Sequence, residues 1–116
     1  MLFICYPKCS TCQKAKRWLD EHNIEYNERH IVEDNPNYDE LREWYEKSGF
    51  ALKKFFNTSG LLYKEMNLKD KLPTMSEDEQ LKLLATNGML VKRPMVVDKD
   101  TVLVGFKEEK WNDMLL

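Results

Sequence analysis

The sequence lacks any apolar run long enough to span a membrane, and it does not begin with the basic, apolar and small-residue succession of a secretory signal. It also lacks a large excess of charge: the formal net charge is −2, which gives no support for nucleic-acid binding. Repeats, linkers and low-complexity segments are absent. We therefore expect one soluble, cytoplasmic, monomeric domain with no membrane partner and no direct nucleic-acid partner.

Cysteine is scarce, and its placement is the most informative feature of the chain. Three cysteines are too few for a disulfide framework. Cys9 and Cys12 lie where a strand-like run, residues 2–6, gives way to a helix-like run, residues 13–19. The free amides of a helix start stabilise an anion, so a cysteine there loses its proton readily. The pair predicts redox or sulfur-transfer chemistry, with Cys9 as nucleophile and Cys12 as resolving cysteine. Cys5 lies inside the first strand, where we expect it to pack in the core.

The apolar pattern predicts an α/β chain in which the strands lie in the N-terminal and C-terminal parts of the sequence. A helix that ends near residues 22–23 separates the first strand from an exposed second strand over residues 24–31, and this order favours parallel pairing. Residues 95–97 and 102–104 predict an antiparallel hairpin, and residues 108–116 a final helix. The whole of residues 1–116 is expected to form one domain.

The middle of the chain, at about residues 36–88, predicts a helical insert. Asn37 and Glu40 form an N-cap pair for a helix over residues 38–47, which Gly49 ends. Further helices are predicted over residues 50–56, over residues 61–71, and from Ser76, which starts a capping box, to residues 87–88. A turn over residues 57–60 separates two of these helices.

A zinc site is the structural alternative for the cysteine pair. Its remaining ligands would have to be His22 and His30, which are separated by seven residues instead of the usual three to five. The chain has no second Cys-x-x-Cys motif. We therefore expect no metal.

Four segments of the chain resemble the arsenate reductase-like (ArsC/Spx) family. They are Tyr6–Cys12, Lys14–Leu19, Lys92–Pro94 and Val104–Phe106. The resemblance covers nearly the whole chain, including the helical insert. It implies a thioredoxin-like fold, β-α-β, helical insert, β-β-α, with a mixed sheet flanked by helices.

The resemblance also implies roles for individual residues. Cys9 matches the catalytic cysteine of the family, Arg93 matches an arginine that binds an oxyanion, and Pro94 matches a proline whose peptide bond is cis. The pair Cys9 and Cys12 resembles the redox switch of the Spx-type regulators. We expect Lys8, Ser10, Thr11 and Pro94 to bind the substrate. The resemblance implies no cofactor, and glutathione or thioredoxin as the reductant of a redox-active disulfide.

The chain departs from the arsenate reductases at two arginine positions. These positions fall near Thr58–Gly60 and near Phe106–Lys107, and neither place holds an arginine. A dianion in a partly desolvated site needs several fixed cationic donors, and lysine or a hydroxyl does not replace a bidentate guanidinium. We therefore expect a thiol-disulfide or ArsC-like reductase acting on a cellular thiol or disulfide. A Spx-like regulator that binds the RNA polymerase α C-terminal domain is the alternative, and a true arsenate reductase is the third hypothesis.

Overall fold

The computed structural model describes residues 1–116. The chain forms four strands and six α-helices, with four consecutive helices in the middle of the chain. Their bounds are β1 Leu2–Cys5, α1 Ser10–Glu21, β2 Asn27–His30, α2 Tyr38–Ser48, α3 Leu61–Glu65, α4 Leu68–Lys71, α5 Glu77–Thr86, β3 Met95–Val97, β4 Val102–Val104 and α6 Glu108–Leu115. Short 3-10 turns cover Leu52–Phe55, Leu72–Thr74 and Gly88–Leu90. No helix has the length and apolar character needed to cross a membrane.

The strands form one mixed sheet in the order β2-β1-β3-β4. Strands β1 and β2 are parallel, as the intervening helix requires, whereas β1 with β3 and β3 with β4 are antiparallel. The sequence-based order of elements and the mixed α/β fold class are therefore confirmed. The final hairpin is short because the turn at Asp98–Thr101 follows only three paired residues on each strand.

Side-chain alternation along the strands divides the core into two layers. Phe3 and Cys5 point to the face covered by α1 and α6, whereas Ile4 between them belongs to the cluster formed with the helical insert. On the α6 side, Trp111 is 1% exposed, and its Nε1 donates to the carbonyl of Gly105 at 3.1 Å. Each face of the sheet is thus buried, and the loops at its ends remain free to form a site.

The helical insert follows the predicted caps but not all predicted lengths. Asn37 and Ser76 both form complete capping boxes, and Gly49 ends α2 with φ +70°. The prediction of one helix over residues 61–71 was wrong, because the chain forms α3 and α4 instead. Met66 ends α3, and Asn67 adopts a left-handed conformation with φ 52° before α4 begins. Apolar periodicity does not reveal this break, because it depends on the backbone conformation of a single residue.

The second strand is shorter than the predicted segment 24–31. Only residues 27–30 pair with β1, since the chain leaves α1 through Asn23, whose φ is 55°, and residues 24–26 lead toward the sheet edge. Ile31 is fully buried, as its apolar character predicted. Arg29 anchors this edge strand to α2, because its Nη1 donates to Glu40 at 2.6 Å.

Backbone hydrogen bonds place the turn at residues 57–60 beside the segment that leads into β3. The amide of Asn57 donates to the carbonyl of Leu90 at 2.8 Å, and the amide of Lys92 donates to that of Phe55 at 2.8 Å. An isolated antiparallel bridge joins Phe56 to Val91. The insert is therefore tied to the chain directly before Arg93, and this connection positions one wall of the site described next.

Candidate functional site

Cys9 occupies the N-cap position of α1. Its amide donates to the carbonyl of Tyr6 at 2.9 Å, and its own carbonyl accepts from the amide of Gln13 at 3.1 Å. Although partial burial opposes ionisation, the amide and the thiol of Cys12 lower the pKa of Cys9 below its ordinary value. The amide of Thr11 and the guanidinium of Arg93 lower the same pKa further. Cys9 is therefore the more acidic thiol of the pair.

Cys12 lies one helical turn deeper and has the opposite character. Cys12 is 2% exposed, and burial raises the pKa of its thiol to about 12. The charge of Cys9 also raises this pKa. The amide of Tyr6 donates to Sγ of Cys12 at 3.4 Å. Cys5 is buried on the same side of the sheet, where burial raises its pKa to about 11, as expected of a packed core thiol. All three cysteines are free thiols.

Arg93 and Pro94 connect the insert to β3. The peptide bond between them is cis, as the family resemblance implied. The guanidinium carbon of Arg93 lies 5.1 Å from the centre of the Tyr6 ring, and its Nη1 is buried without a hydrogen-bond acceptor in the protein. Arg93 therefore keeps one N–H group without an acceptor in the protein.

Cys9 opens onto a cleft of about 320 Å³ that carries positive charge. Lys92, Arg93 and Lys107 are its ionisable cations, and no acidic residue lines it. The remaining wall comprises Thr11, Asn57, Ser59, Gly60, Val104, Gly105 and Phe106. Such a cleft favours an anionic ligand because cations around a partly enclosed site attract negative charge.

The structure distributes the predicted site residues between the cleft and its surroundings. Cys9, Thr11 and Arg93 line the cleft. Lys8 and Ser10 are exposed and lie outside its wall, and Pro94 is buried next to Arg93. Cys12 does not line this cleft, and lines instead a smaller cavity of about 120 Å³ that Cys5 also lines.

Both histidines have local partners away from the cleft. Nδ1 of His22 lies 2.8 Å from the carbonyl oxygen of Trp18, and the two rings stack with centroids 4.2 Å apart. Nδ1 of His30 accepts from the amides of Val32 and Glu33, each at 3.1 Å. No group of three or more histidine, cysteine or acidic side chains is arranged to hold a metal ion.

Sequence reasoning identified part of the cleft and missed the rest. The two positions that lack the family arginines, near residues 58–60 and 106–107, do lie on the cleft, at Ser59 and Lys107. Asn57 and Lys92 were not predicted, and Asn57 was treated only as part of a turn. The signal for Asn57 was its polar character directly after two aromatic residues that the core buries, Phe55 and Phe56.

The four-stranded mixed sheet, the cysteine pair at the first strand-to-helix junction and the cis-proline before β3 together define a thioredoxin-like α/β protein. The model of the ArsC family matches residues 5–114. The chain therefore belongs to the ArsC family.

Three curated bacterial proteins illustrate the range of relatives. The chain is 59% identical to the uncharacterized protein YusI of Bacillus subtilis, over 97% of this chain and 96% of YusI. It is 32% identical to the regulatory protein MgsR of the same organism, covering 91% of this chain and 82% of MgsR. It is 30% identical to the global transcriptional regulator Spx of Listeria innocua, covering 90% of this chain and 78% of Spx.

Solved structures give the same result for the fold. A Bacteroides fragilis protein described as related to the ArsC family superposes with a TM-score of 0.94 and 63% identity, covering 97% of this chain and 94% of that one. Arsenate reductase from Vibrio cholerae superposes with a TM-score of 0.84 and 27% identity, covering 99% and 98% of the two chains. The fold is thus shared with a protein described as related to the ArsC family and with an arsenate reductase.

Proposed function

We propose that the protein is a thiol-dependent oxidoreductase that reduces a disulfide through Cys9 and Cys12. The observation that carries this proposal is the asymmetry of the pair: Cys9 has a lowered pKa and faces a cationic cleft, whereas Cys12 is buried behind it with a raised pKa. A nucleophile and a resolving thiol need these different environments.

In the first step the Cys9 thiolate attacks one sulfur of the substrate disulfide. The substrate S–S bond breaks, a mixed disulfide forms at Cys9, and the leaving thiolate takes a proton from solvent. In the second step Cys12 loses its proton to solvent and attacks Sγ of Cys9, which releases the second substrate thiolate. The substrate has gained two electrons, and a cellular thiol such as glutathione or thioredoxin returns two electrons to the Cys9–Cys12 disulfide.

The order of these steps follows from how the two thiols affect each other. The charge of the Cys9 thiolate and its hydrogen bond with Cys12 both raise the pKa of Cys12. A mixed disulfide at Cys9 removes that charge, so Cys12 becomes easier to deprotonate only after substrate has bound covalently. Cys12 therefore stays protonated until the mixed disulfide has formed at Cys9.

Substitution of each cysteine by serine tests the proposal. With a mixed-disulfide substrate and a glutathione or thioredoxin reducing system, Cys9→Ser is expected to abolish turnover. Cys12→Ser is expected to trap the substrate on Cys9, as an added mass in the intact protein that reductant removes. Cys5→Ser is the matched control, and it should keep turnover. Failure of the wild-type protein to turn over with either reductant would count against the proposal.

A redox-sensing transcriptional regulator is the second candidate, and the relatives MgsR and Spx favour it. In this case the same Cys9–Cys12 pair would switch affinity for the RNA polymerase α C-terminal domain. The test is a calorimetric titration of that domain with the reduced and the oxidised protein. Absence of binding in both redox states would remove this candidate.

A further inference from the structure

Asn57 is the only polar residue among the buried side chains of the protein. It is 9% exposed, yet the proposed steps at Cys9 and Cys12 do not use it. A buried amide is normally hydrogen-bonded, because an unpaired donor loses its interaction with water without compensation. The contacts around Asn57 therefore indicate the role of its side-chain amide.

Every part of Asn57 except one is held by the protein. The backbone amide donates to Leu90, and the backbone carbonyl accepts from the amide of Gly60 at 3.0 Å. The hydroxyl of Ser59 approaches Oδ1 at 3.5 Å. The side-chain nitrogen Nδ2 forms no hydrogen bond within the protein, yet it is not one of the fully enclosed side-chain nitrogens without a partner, which belong to Trp18 and Arg93. Nδ2 therefore keeps some exposed surface, and Asn57 lines the same cleft as Cys9.

Gly60 leaves the space that the Asn57 amide occupies. A Cβ at position 60 would lie 2.7 Å from Nδ2 of Asn57, closer than a carbon and a nitrogen can pack. The backbone of Gly60, with φ −76° and ψ 152°, is ordinary for any residue, so conformation does not require glycine there. The small residue keeps the amide in place at the cleft.

We propose that the side-chain amide of Asn57 is a specificity-determining donor of the Cys9 cleft, which binds an anionic oxygen, such as a carboxylate, carried by the disulfide substrate. This inference rests on the proposed function and adds the substrate class. The free Nδ2 supplies a directed hydrogen bond, and Lys92, Arg93 and Lys107 supply the charge that selects an anion.

The test compares two disulfide probes that differ in charge. Dithiobis-nitrobenzoate carries a carboxylate on each half, whereas dithiodipyridine is neutral, and both release a coloured thiol when Cys9 attacks. Asn57→Leu is expected to lower the second-order rate constant for the anionic probe by about tenfold, the order expected for a hydrogen bond to a charged group. The rate constant for the neutral probe is expected to change by less than about twofold, since no anion is bound.

Further variants distinguish the loss of the Asn57 donor from a loss of folding. Asn57→Asp removes the donor and adds a negative charge, so the anionic probe should react more slowly with it than with Asn57→Leu. Gly60→Ala retains Asn57 but displaces its amide, and it is expected to lower the same rate constant selectively. If Asn57→Leu does not fold, the rate constants of Gly60→Ala decide whether Asn57 has the proposed role. Asn112→Leu and Asn112→Asp are matched controls on the exposed surface of α6, and they should react as the wild-type protein does.

The outcomes distinguish the two proposals. A selective loss with the anionic probe in Asn57→Leu or Gly60→Ala supports the role of Asn57. Equal effects on both probes, or no effect on either, would overturn that role while Cys9 remained a reactive nucleophile. A wild-type Cys9 that reacts with neither probe would instead overturn the proposed oxidoreductase function.

Discussion

The thiol of Cys12 lowers the pKa of Cys9, and Cys9 in turn raises the pKa of Cys12. The two residues lie three positions apart at the start of α1, yet Cys9 faces the cationic cleft and Cys12 faces the core. Because the effects are reciprocal, ionisation of one thiol disfavours ionisation of the other. This relationship supports the proposed roles of Cys9 as nucleophile and Cys12 as resolving thiol.

The pH dependence of Cys9 alkylation follows from the groups around its thiolate. The rate of reaction with iodoacetamide is expected to rise with pH and to show an inflection below the ordinary cysteine pKa of 9.0. Arg93→Ala should move the inflection to higher pH, because the guanidinium that favours the thiolate is lost. Lys14→Ala is the control, since Lys14 is exposed and does not contribute to the pKa of Cys9. An unchanged inflection in Arg93→Ala would contradict this assignment.

The raised pKa of Cys12 predicts a loss of stability in alkali for the reduced protein. Burial raises this pKa from 9.0 to about 12. Between these values the unfolded chain releases the Cys12 proton and the folded chain keeps it, so stability falls as pH rises. The contribution is at most about 1.4 kcal/mol per pH unit in that window. Urea unfolding of the wild type and Cys12→Ala should show a shallower decline for the variant, and parallel declines would refute the prediction.

Restoring the family arginines is expected to increase arsenate reduction. Ser59 and Lys107 line the cleft, and they lie in the two segments, Thr58–Gly60 and Phe106–Lys107, near which the resemblance places the arginines of the arsenate reductases. The double variant Ser59→Arg with Lys107→Arg adds two planar bidentate donors around Cys9, and each charge-assisted pair is worth about tenfold in affinity. A glutathione-coupled arsenate assay should show about a tenfold or greater gain over the wild type. Lys99→Arg, in the exposed hairpin turn, is the control, and a gain there of equal size would contradict the explanation.

Gly88 is expected to be intolerant of a methyl group. A Cβ at this position would lie 1.8 Å from the carbonyl oxygen of Ile31, where backbone meets backbone and neither atom can move alone. Gly88→Ala should therefore lower the free energy of unfolding by about 3 kcal/mol or more. Gly49→Ala is the comparison: its Cβ meets nothing, and only the positive φ of +70° costs about 1 kcal/mol. Equal losses in denaturant titrations would show that the close approach to Ile31 does not matter.

Local patterns were enough to predict most elements of the fold. Asn37 and Ser76 start α2 and α5 as their capping boxes indicated, since a cap depends on residues only three positions apart. The position of Cys9 at a helix start follows in the same way from the run of residues around it. The break between α3 and α4 at Asn67 could not be predicted from the sequence, because a single left-handed residue leaves the apolar pattern unchanged.

The cleft required the tertiary structure. Asn57, Lys92 and Lys107 are far apart in sequence, and hydrogen bonds such as that from Asn57 to Leu90 bring one wall of the insert beside Cys9. The sequence by itself determined a thiol pair at a helix start, because helix termini are local electrostatic features. Which thiol opens onto the cleft, which is buried, and which cations and amide surround Cys9 were decided only by packing, since burial and charge proximity depend on residues that meet through the fold.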